Sequence, residues 1–407
     1  MTWAERFQTL WREHARYLLP LLAVTAAMFF LWGNVNWHVP PADRWDGWHY
    51  RTMAEAAPGL SQVAAAPFRY RVLGTYSVGL LFGQNYIAGF FVVNYAALLA
   101  VVALLYFFLC YVGIARPVAA FSTALFTMNT HLFGLTAWLT FHTNDSLAML
   151  FLLLALWTMM ARRWRLFSLA LLLGALSRET WVLAAPTAFV FLWERKLLRS
   201  DLGKLILATL PALVATVLLR TLLRADVVGS LEPLQAFARF APKILEPEFW
   251  VRQFANSLKP LSFLPLIFLG TTVRWARGNL FMVALILLTF ISSLLGSANE
   301  RLMAPAFVAF YWLLALVIQE NIWPQRAMLA IIAAATFVST LHYWYARFPL
   351  PSRELTIAIG GVAWAVVTVA ALVFRLRMGQ GRDTEDTEEP QRSQRTQRPD
   401  ENLDQSV

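Results

Sequence analysis

The residues of this chain best suited to chemistry lie in the segment 43–50, which follows the first apolar run. The segment reads Asp-Arg-Trp-Asp-Gly-Trp-His-Tyr, so that two carboxylates, Asp43 and Asp46, lie close to His49 and Tyr50. A carboxylate can take a proton from an attacking hydroxyl group, and a histidine or phenol can orient a polar substrate. Because the rest of the chain is largely apolar, this acidic cluster is the first candidate for a functional site.

Further polar sets occur along the chain, next to apolar segments. Ionisable groups near a bilayer are costly, and they face the protein interior or an aqueous cavity. From the sets below, the candidate substrate-binding residues, together with His49 and Tyr50, are Arg69, Arg71, Asp145, Arg178, Glu179, Glu300 and Arg301. The sets are Arg69 and Arg71, the run His142-Thr143-Asn144-Asp145, Arg178 with Glu179, and Asn299-Glu300-Arg301.

Each of these sets also has an ordinary structural interpretation. Asp43 and Asp46 are compatible with solvated loop acids beside an interfacial belt of aromatic residues. The two arginines of 69–71 are compatible with side chains that snorkel to the interface. Asp145 suits the N-cap of the helix that follows it, and His142 suits packing or capping. The remaining charged sets suit structural ion pairs, and His131 and His342 suit the core.

Composition indicates a helical membrane protein. Of the 407 residues 58% are hydrophobic and 14% are charged, whereas an average soluble domain has roughly 25% charged residues. The apolar residues occur in long blocks, which is typical of transmembrane helices and not of the short alternating strands of a β-barrel. The first block, from Tyr17 to Val35, has no small-residue cleavage site, so we interpret it as a retained span.

Twelve apolar segments are predicted, in a single all-α transmembrane domain over 1–376. Two outer loops are long, 38–85 and 225–259; we expect the second half of the first, to Phe82, to lie along the interface and the second to form a membrane-surface helix. Residues 377–407 are predicted to be a disordered tail. The segments are 17–37, 86–112, 117–139, 146–161, 165–177, 180–193, 204–224, 260–273, 279–297, 303–320, 326–345 and 355–376.

Charge in the short loops predicts the orientation. With the N-terminus inside, most loop arginines and lysines fall on the cytoplasmic side, as the positive-inside rule requires. Both termini are then cytoplasmic, and all the polar sets named above fall on the outer side. Segments 165–177 and 180–193 are too short for a ~30 Å hydrocarbon core, so they are either two short spans or a re-entrant pair. Either choice leaves the orientation unchanged.

Several kinds of chemistry are not indicated. The net charge of +10 follows the loop pattern, which argues against nucleic-acid binding. The single cysteine, Cys110, excludes a disulfide framework and a thiolate metal site. The chain has no Walker loop, no GxGxxG after a strand and no HExxH motif. Asp43 and Asp46 could hold a divalent metal ion, although their spacing does not require one, and no other cofactor is predicted.

Four stretches resemble motifs of the GT-C membrane glycosyltransferases, especially the PIG-V-like mannosyltransferases. Residues 45–50, reading WDGWHY, resemble the first-loop acidic motif. Residues 67–73, reading PFRYRVL, resemble a motif that follows it in bacterial members. Residues 176–180, LSRET, resemble a [KR]-E-T element, and residues 299–305, NERLMAP, resemble a late R-Y-x-x-P element with Leu302 in place of tyrosine. The first loop has D-R-W-D in place of a tight D-x-D, so the choice of catalytic acid stays open.

The resemblance implies transfer of a sugar, for which mannose is one candidate, from a polyprenyl-phosphate donor with inversion. The acceptor is a glycan, lipid or protein on the outer side. Asp46 is our first choice of base and Asp43 the second, and arginines 69, 71, 178 and 301 are candidates for the phosphate. The alternatives are a transporter or flippase for a lipid-linked or anionic solute, which also uses many spans and broken helices, and a scaffold of a membrane complex.

Overall fold

The computed structural model describes residues 3–36, 46–61, 63–223, 241–294, 299–342 and 352–385. Within these ranges the secondary structure is helical, with no β-strand, which confirms the all-α prediction. The longer helices are α1 Trp3–Trp32, α2 Asp46–Ala56, α3 Val72–Phe82, α4 Tyr86–Tyr111, α5 Arg116–Thr127, α6 Thr143–Met160, α7 Trp164–Ser177, α8 Trp181–Glu194, α9 Leu198–Leu222, α10 Leu269–Gly278, α11 Leu280–Ser293, α12 Phe307–Val317, α13 Arg326–Ser339 and α14 Arg353–Glu385.

The length and apolar composition of these helices fit a membrane protein. In the described ranges six helical stretches are long and apolar enough to cross a bilayer, and a seventh results if α10 and α11, which meet at 100°, form one broken span. The helices α7 and α8 have 14 residues each, so each is roughly 21 Å long. They are separate helices, but their length leaves open whether they are short spans or a re-entrant pair. The count of twelve spans stays a prediction.

The two predicted outer loops contain helices where they are described. In the loop 38–85, α2 is followed by α3, and α3 leads into α4 through one apolar stretch, Val72–Tyr111. In the loop 225–259, the short helix Pro247–Trp250 buries Phe249, whose ring contacts Phe290, while Trp250 is exposed. The location of this helix on a membrane surface stays a prediction. Residues 225–240 lie outside the described residues.

At the C-terminal end, α14 continues to Glu385, past the expected domain boundary at 376. Nine residues of the predicted tail, 377–385, are therefore helical in the structure. The rest of the predicted tail, 386–407, lies outside the described residues.

Packing brings the polar sets to one end of the bundle. Helix α6 packs against α4 on one side and α7 on the other, and α7 packs against α9. Because α6 and α7 are consecutive antiparallel neighbours, the start of α6 lies beside the end of α7. Helix α2 packs against α3 and against the turn Thr140–His142 that precedes α6, so that the first residues of α2 reach the same end.

The contact between α2 and α3 depends on Gly79. A Cβ atom at Gly79 would lie 2.3 Å from the carbonyl oxygen of Ala54 and 2.6 Å from the Cβ of Ala57. We expect Gly79→Ala to lower stability by about 1–3 kcal/mol, as overpacking does, although alanine is the better helix former. Thermal unfolding in detergent measures this. Gly361→Ala is the matched control, because a Cβ there meets nothing within 4 Å; an equal loss in both variants would contradict the role of this contact.

Candidate active site

Asp46 pairs with an arginine from the far end of the chain. Its Oδ2 atom accepts a hydrogen bond from Nη1 of Arg301 at 3.0 Å, across 255 residues of sequence. The same Oδ2 lies 3.6 Å from Nε2 of His142. Nη1 of Arg301 also lies 3.0 Å from this Nε2. The first-loop acid, the arginine of the last motif and a histidine before α6 therefore form one cluster.

Asp145 extends this cluster toward Arg178. Its Oδ1 is 2.5 Å from Nη1 of Arg178, and its Oδ2 is 3.8 Å from Nδ1 of His142 and 3.9 Å from Nε of Arg301. The N-cap interpretation of Asp145 is wrong, because α6 begins at Thr143 and the carboxylate lies inside the first turn, directed at Arg178. Acidic residues in this turn are also favoured by the helix dipole.

Arg71 forms a second group beside the first. It donates hydrogen bonds from Nη1 to the Tyr50 hydroxyl oxygen at 2.9 Å and from Nη2 to Oε2 of Glu179 at 3.2 Å. The guanidinium also lies over the ring of Phe68. Arg71 is buried, so the snorkelling interpretation is wrong for it. Glu179 pairs with Arg71, while the neighbouring Arg178 pairs with Asp145, so the expected ion pair within 178–179 is replaced by two longer-range pairs.

The remaining predicted site residues have other positions. His49 is half-buried; its ring stacks on Phe68, and its Nδ1 accepts a hydrogen bond from the amide of Ala65. Arg69 is also buried, in the turn Phe68–Tyr70, which argues against snorkelling there as well. Glu300 is half-buried beside Arg301 in the short helix Asn299–Leu302. Asp43 lies outside the described residues, so its choice as a second base stays a prediction.

Three ion pairs make up the cluster. In the described part of the chain it contains three carboxylates and three guanidinium groups, from Asp46, Asp145, Glu179, Arg71, Arg178 and Arg301. Burial favours a neutral Asp46, but the close contact with His142 and the charge of Arg301 outweigh it and hold the pKa of Asp46 well below its ordinary value. Burial raises the pKa of Tyr50 to about 12. Tyr50 is therefore a neutral hydrogen-bonding partner at physiological pH.

A narrow cavity adjoins the cluster. Asp145, Arg178 and Arg301 line its polar part, and Met149 and Leu152 of α6 line its apolar part. A further apolar cavity between α6, α7 and α8 shares residues of this wall. Guanidinium groups beside these small cavities suit contact with an anionic group such as phosphate, which they bind bidentately.

On the other side of Arg178 lies a second small cavity, between α7, α8 and α9. It is lined by Arg71, Glu179 and also Arg220. Arg220, near the end of α9, lies over the ring of Tyr70. Sequence analysis did not select Arg220, because it lies inside a predicted apolar segment.

Asn144, on α6, forms hydrogen bonds to the segment that carries Arg71. Its fully buried amide donates to the carbonyl oxygen of Arg71 at 3.2 Å and to Oγ1 of Thr75 at 2.8 Å, and its Oδ1 accepts from the amide of Gly74 at 3.0 Å. It was part of a run singled out in the sequence, but its own role needed the tertiary contacts. The amide thus fixes the backbone that presents Arg71.

We expect Asn144→Asp to destabilise the protein by about 3 kcal/mol, because a buried carboxylate loses both donated bonds and faces two acceptors. Such a carboxylate has a raised pKa in the folded state, so the destabilisation is smallest near pH 4 and grows as the pH rises. Unfolding temperatures at pH 4 and pH 7 measure it. The control is Asn85→Asp, since Asn85 is exposed; equal unfolding temperatures for both variants at pH 7 would contradict the prediction.

Comparison with known proteins adds no relative to this description. No protein-family model matches the chain, and no curated protein and no solved structure matches it.

Proposed function

We propose that this protein is a membrane glycosyltransferase of the GT-C type, which moves a sugar from a polyprenyl-phosphate donor to a hydroxyl group of a glycan, lipid or protein acceptor. The observation that carries the proposal is the Asp46 carboxylate 3.0 Å from Arg301, beside a cavity that Arg301 shares with Arg178. A base and two phosphate-binding cations at one end of an apolar bundle are what the reaction needs.

The proposed reaction is a single displacement with inversion. Asp46 takes the proton of the acceptor hydroxyl group as its oxygen attacks the anomeric carbon. The bond from that carbon to the donor phosphate breaks, and the electron pair leaves on the phosphate. Arg178 and Arg301 stabilise the charge that develops there. In the described residues no group of three His, Cys, Asp or Glu side chains is arranged to hold a metal ion, so we derive each step from protein side chains.

The proposal includes a topology. The chain has twelve segments in the inner membrane, both termini are cytoplasmic, and the active site faces the extracytoplasmic side, where a lipid-linked donor is reached from the bilayer. The charge asymmetry of the loops supports this orientation. The grouping of the first-loop acid, Asp145, Arg178 and Arg301 at one end of the bundle is consistent with it.

The proposal is tested with the purified full-length chain in liposomes that contain a polyprenyl-phosphate sugar labelled in the sugar. We expect the labelled lipid to be consumed and free polyprenyl phosphate to appear when an acceptor glycan is added. If the donor stays intact under all acceptors tried, the enzyme proposal fails.

A transporter or flippase is the second candidate. The observation that favours it is the 100° bend between α10 and α11, because broken helices are typical of transporters. The same liposomes separate the two candidates. A transporter moves the intact labelled lipid between the two leaflets, which an impermeant oxidant of the sugar detects, without release of polyprenyl phosphate.

A further inference from the structure

His142 lies between two carboxylates, although the sequence had suggested a packing or capping role. Its Nε2 is 3.6 Å from Oδ2 of Asp46, and its Nδ1 is 3.8 Å from Oδ2 of Asp145. The side chain is only 2% exposed. Among the described residues, the cation in contact with the ring is Arg301, and the ring also packs edge-on against Phe141. This buried imidazole therefore contacts an ionisable group through each of its two ring nitrogens, in addition to its packing contacts.

The contacts assign the tautomer of this histidine. A guanidinium group only donates hydrogen bonds, so the 3.0 Å contact from Nη1 of Arg301 requires a lone pair on Nε2 of His142. The ring proton is then on Nδ1, which faces Asp145 and has no hydrogen-bond partner in the described residues. The lone pair is directed toward Asp46 and Arg301, and the proton toward Asp145.

Asp46 by itself is a poor proton acceptor. Asp46 is half-buried, and the positive charge of Arg301, 3.0 Å away, lowers the pKa of its carboxyl group below the ordinary value. Such a weak base has little driving force to retain a proton from a hydroxyl group. A second proton acceptor next to Asp46 would complete the transfer of the proton. Nε2 of His142, 3.6 Å from Oδ2 of Asp46, is the basic atom in that position.

Building on the proposed glycosyl transfer, we propose that His142 is a proton-relay residue that takes the acceptor's proton from Asp46. As the new glycosidic bond forms and the bond to phosphate breaks, the proton moves from the acceptor oxygen to Oδ2 of Asp46. Arg301 turns to the departing phosphate and leaves Nε2 open. The proton then passes to Nε2, and the resulting imidazolium keeps its original proton on Nδ1 toward Asp145. Product release returns the proton to water.

Charge balance supports this path. The cluster consists of three carboxylate–guanidinium pairs, and a neutral His142 lies between Asp46 and Asp145. The donor is a phosphodiester, whereas the departing polyprenyl phosphate is a monoester that gains negative charge. An imidazolium formed at the same moment offsets that charge inside a poorly solvated site, where an unbalanced charge is costly. Asp46 and Asp145 flank it on both sides.

The test compares wild type and His142→Gln in the liposome assay from pH 4.5 to 8.5. In the wild type we expect kcat to fall toward the acid end of this pH range, because a protonated ring accepts no proton. In His142→Gln we expect kcat at pH 7.5 to fall about 10- to 100-fold, at or below the lower end of the range for acid–base groups, while KM for the donor changes little. The acid limb of the profile should disappear.

The matched control is His14→Gln. His14 is also buried, and its Nδ1 is hydrogen-bonded to Tyr106. His14 lines a cavity together with Trp157 of α6. Trp157 is twelve residues from Asp145 along α6, so the two residues are roughly 18 Å apart. This variant should keep the wild-type pH profile.

The outcomes separate this proposal from the proposed function. Sugar transfer by the wild type with no acid limb between pH 4.5 and 8.5 overturns the relay and leaves the glycosyltransferase proposal standing, even if His142→Gln fails to fold. Sugar transfer by a folded variant with an unchanged profile has the same effect. Failure of the wild type to consume any donor removes the proposed function itself.

Discussion

Replacement of Asp46 by asparagine is expected to lower kcat for sugar transfer by about 10³-fold, within the range that acid–base groups contribute. Asparagine fills the same space and can accept the hydrogen bond that Arg301 donates to Asp46, so the fold should persist. It cannot take the proton of the acceptor hydroxyl group. Because the role proposed for Asp46 is in the chemical step, KM for the donor should change much less than kcat. Initial rates with labelled donor over a range of donor concentrations measure both.

The control for this variant lies on the same helix. Glu55→Gln removes the other carboxylate of α2, which is exposed and pairs with Arg51 one turn away; exposed pairs of this kind contribute little, and activity should be unchanged. Asp43→Asn, assayed in parallel, decides between the two acids of the first loop. Full activity of Asp46→Asn with loss of activity in Asp43→Asn would transfer the role of base to Asp43.

The second large effect concerns stability. Asp145→Asn should destabilise the protein by about 3–5 kcal/mol, the cost of leaving one partner of a buried ion pair unpaired. The pair with Arg178 is 2.5 Å long, and the two side chains are 8% and 11% exposed. Replacing both residues, as in Asp145→Asn with Arg178→Met, removes the uncompensated charge and should recover a large part of this loss. Thermal and denaturant unfolding in detergent measure each variant.

A second ion pair of equal length but greater exposure shows how much of the expected loss of stability is due to burial. Arg116 and Glu13 are also 2.5 Å apart, but their side chains are 40% and 44% exposed. Exposed pairs contribute about 0–1 kcal/mol, so Glu13→Gln should have little effect. A double-mutant cycle on each pair gives the coupling energies. Equal coupling in the two pairs would show that Arg178 is not held in a poorly solvated site, and the argument for a buried phosphate-binding cation would weaken with it.

Much of the helical framework could be predicted from the sequence. The predicted apolar segments 86–112, 165–177 and 180–193 end within one residue of α4, α7 and α8. The candidate residues Asp46, Asp145, Arg178 and Arg301 lie together in the structure. Hydropathy and motif composition are local properties, so they can be read from consecutive residues.

The pairing inside the cluster could not be predicted in this way. By sequence, the charged sets at 178–179 and 300–301 are compatible with structural ion pairs, whereas the structure pairs Arg178 with Asp145 and Arg301 with Asp46. Neighbours in a chain need not face each other, because the side-chain direction depends on which helix end each residue occupies. His142 was not selected as a candidate site residue for the same reason. The local sequence around this histidine does not indicate that one carboxylate lies on each side of its ring.

The sequence by itself determined that this chain is all-helical and rich in apolar segments, and that its acids and arginines gather next to those segments, because each of these features is fixed by residue type and spacing. The tertiary structure alone decided which charges meet. The closeness of α2, α6 and the Asn299–Leu302 helix arises from packing between segments as much as 255 residues apart. That packing makes Asp46 the partner of Arg301 and places His142 between two carboxylates.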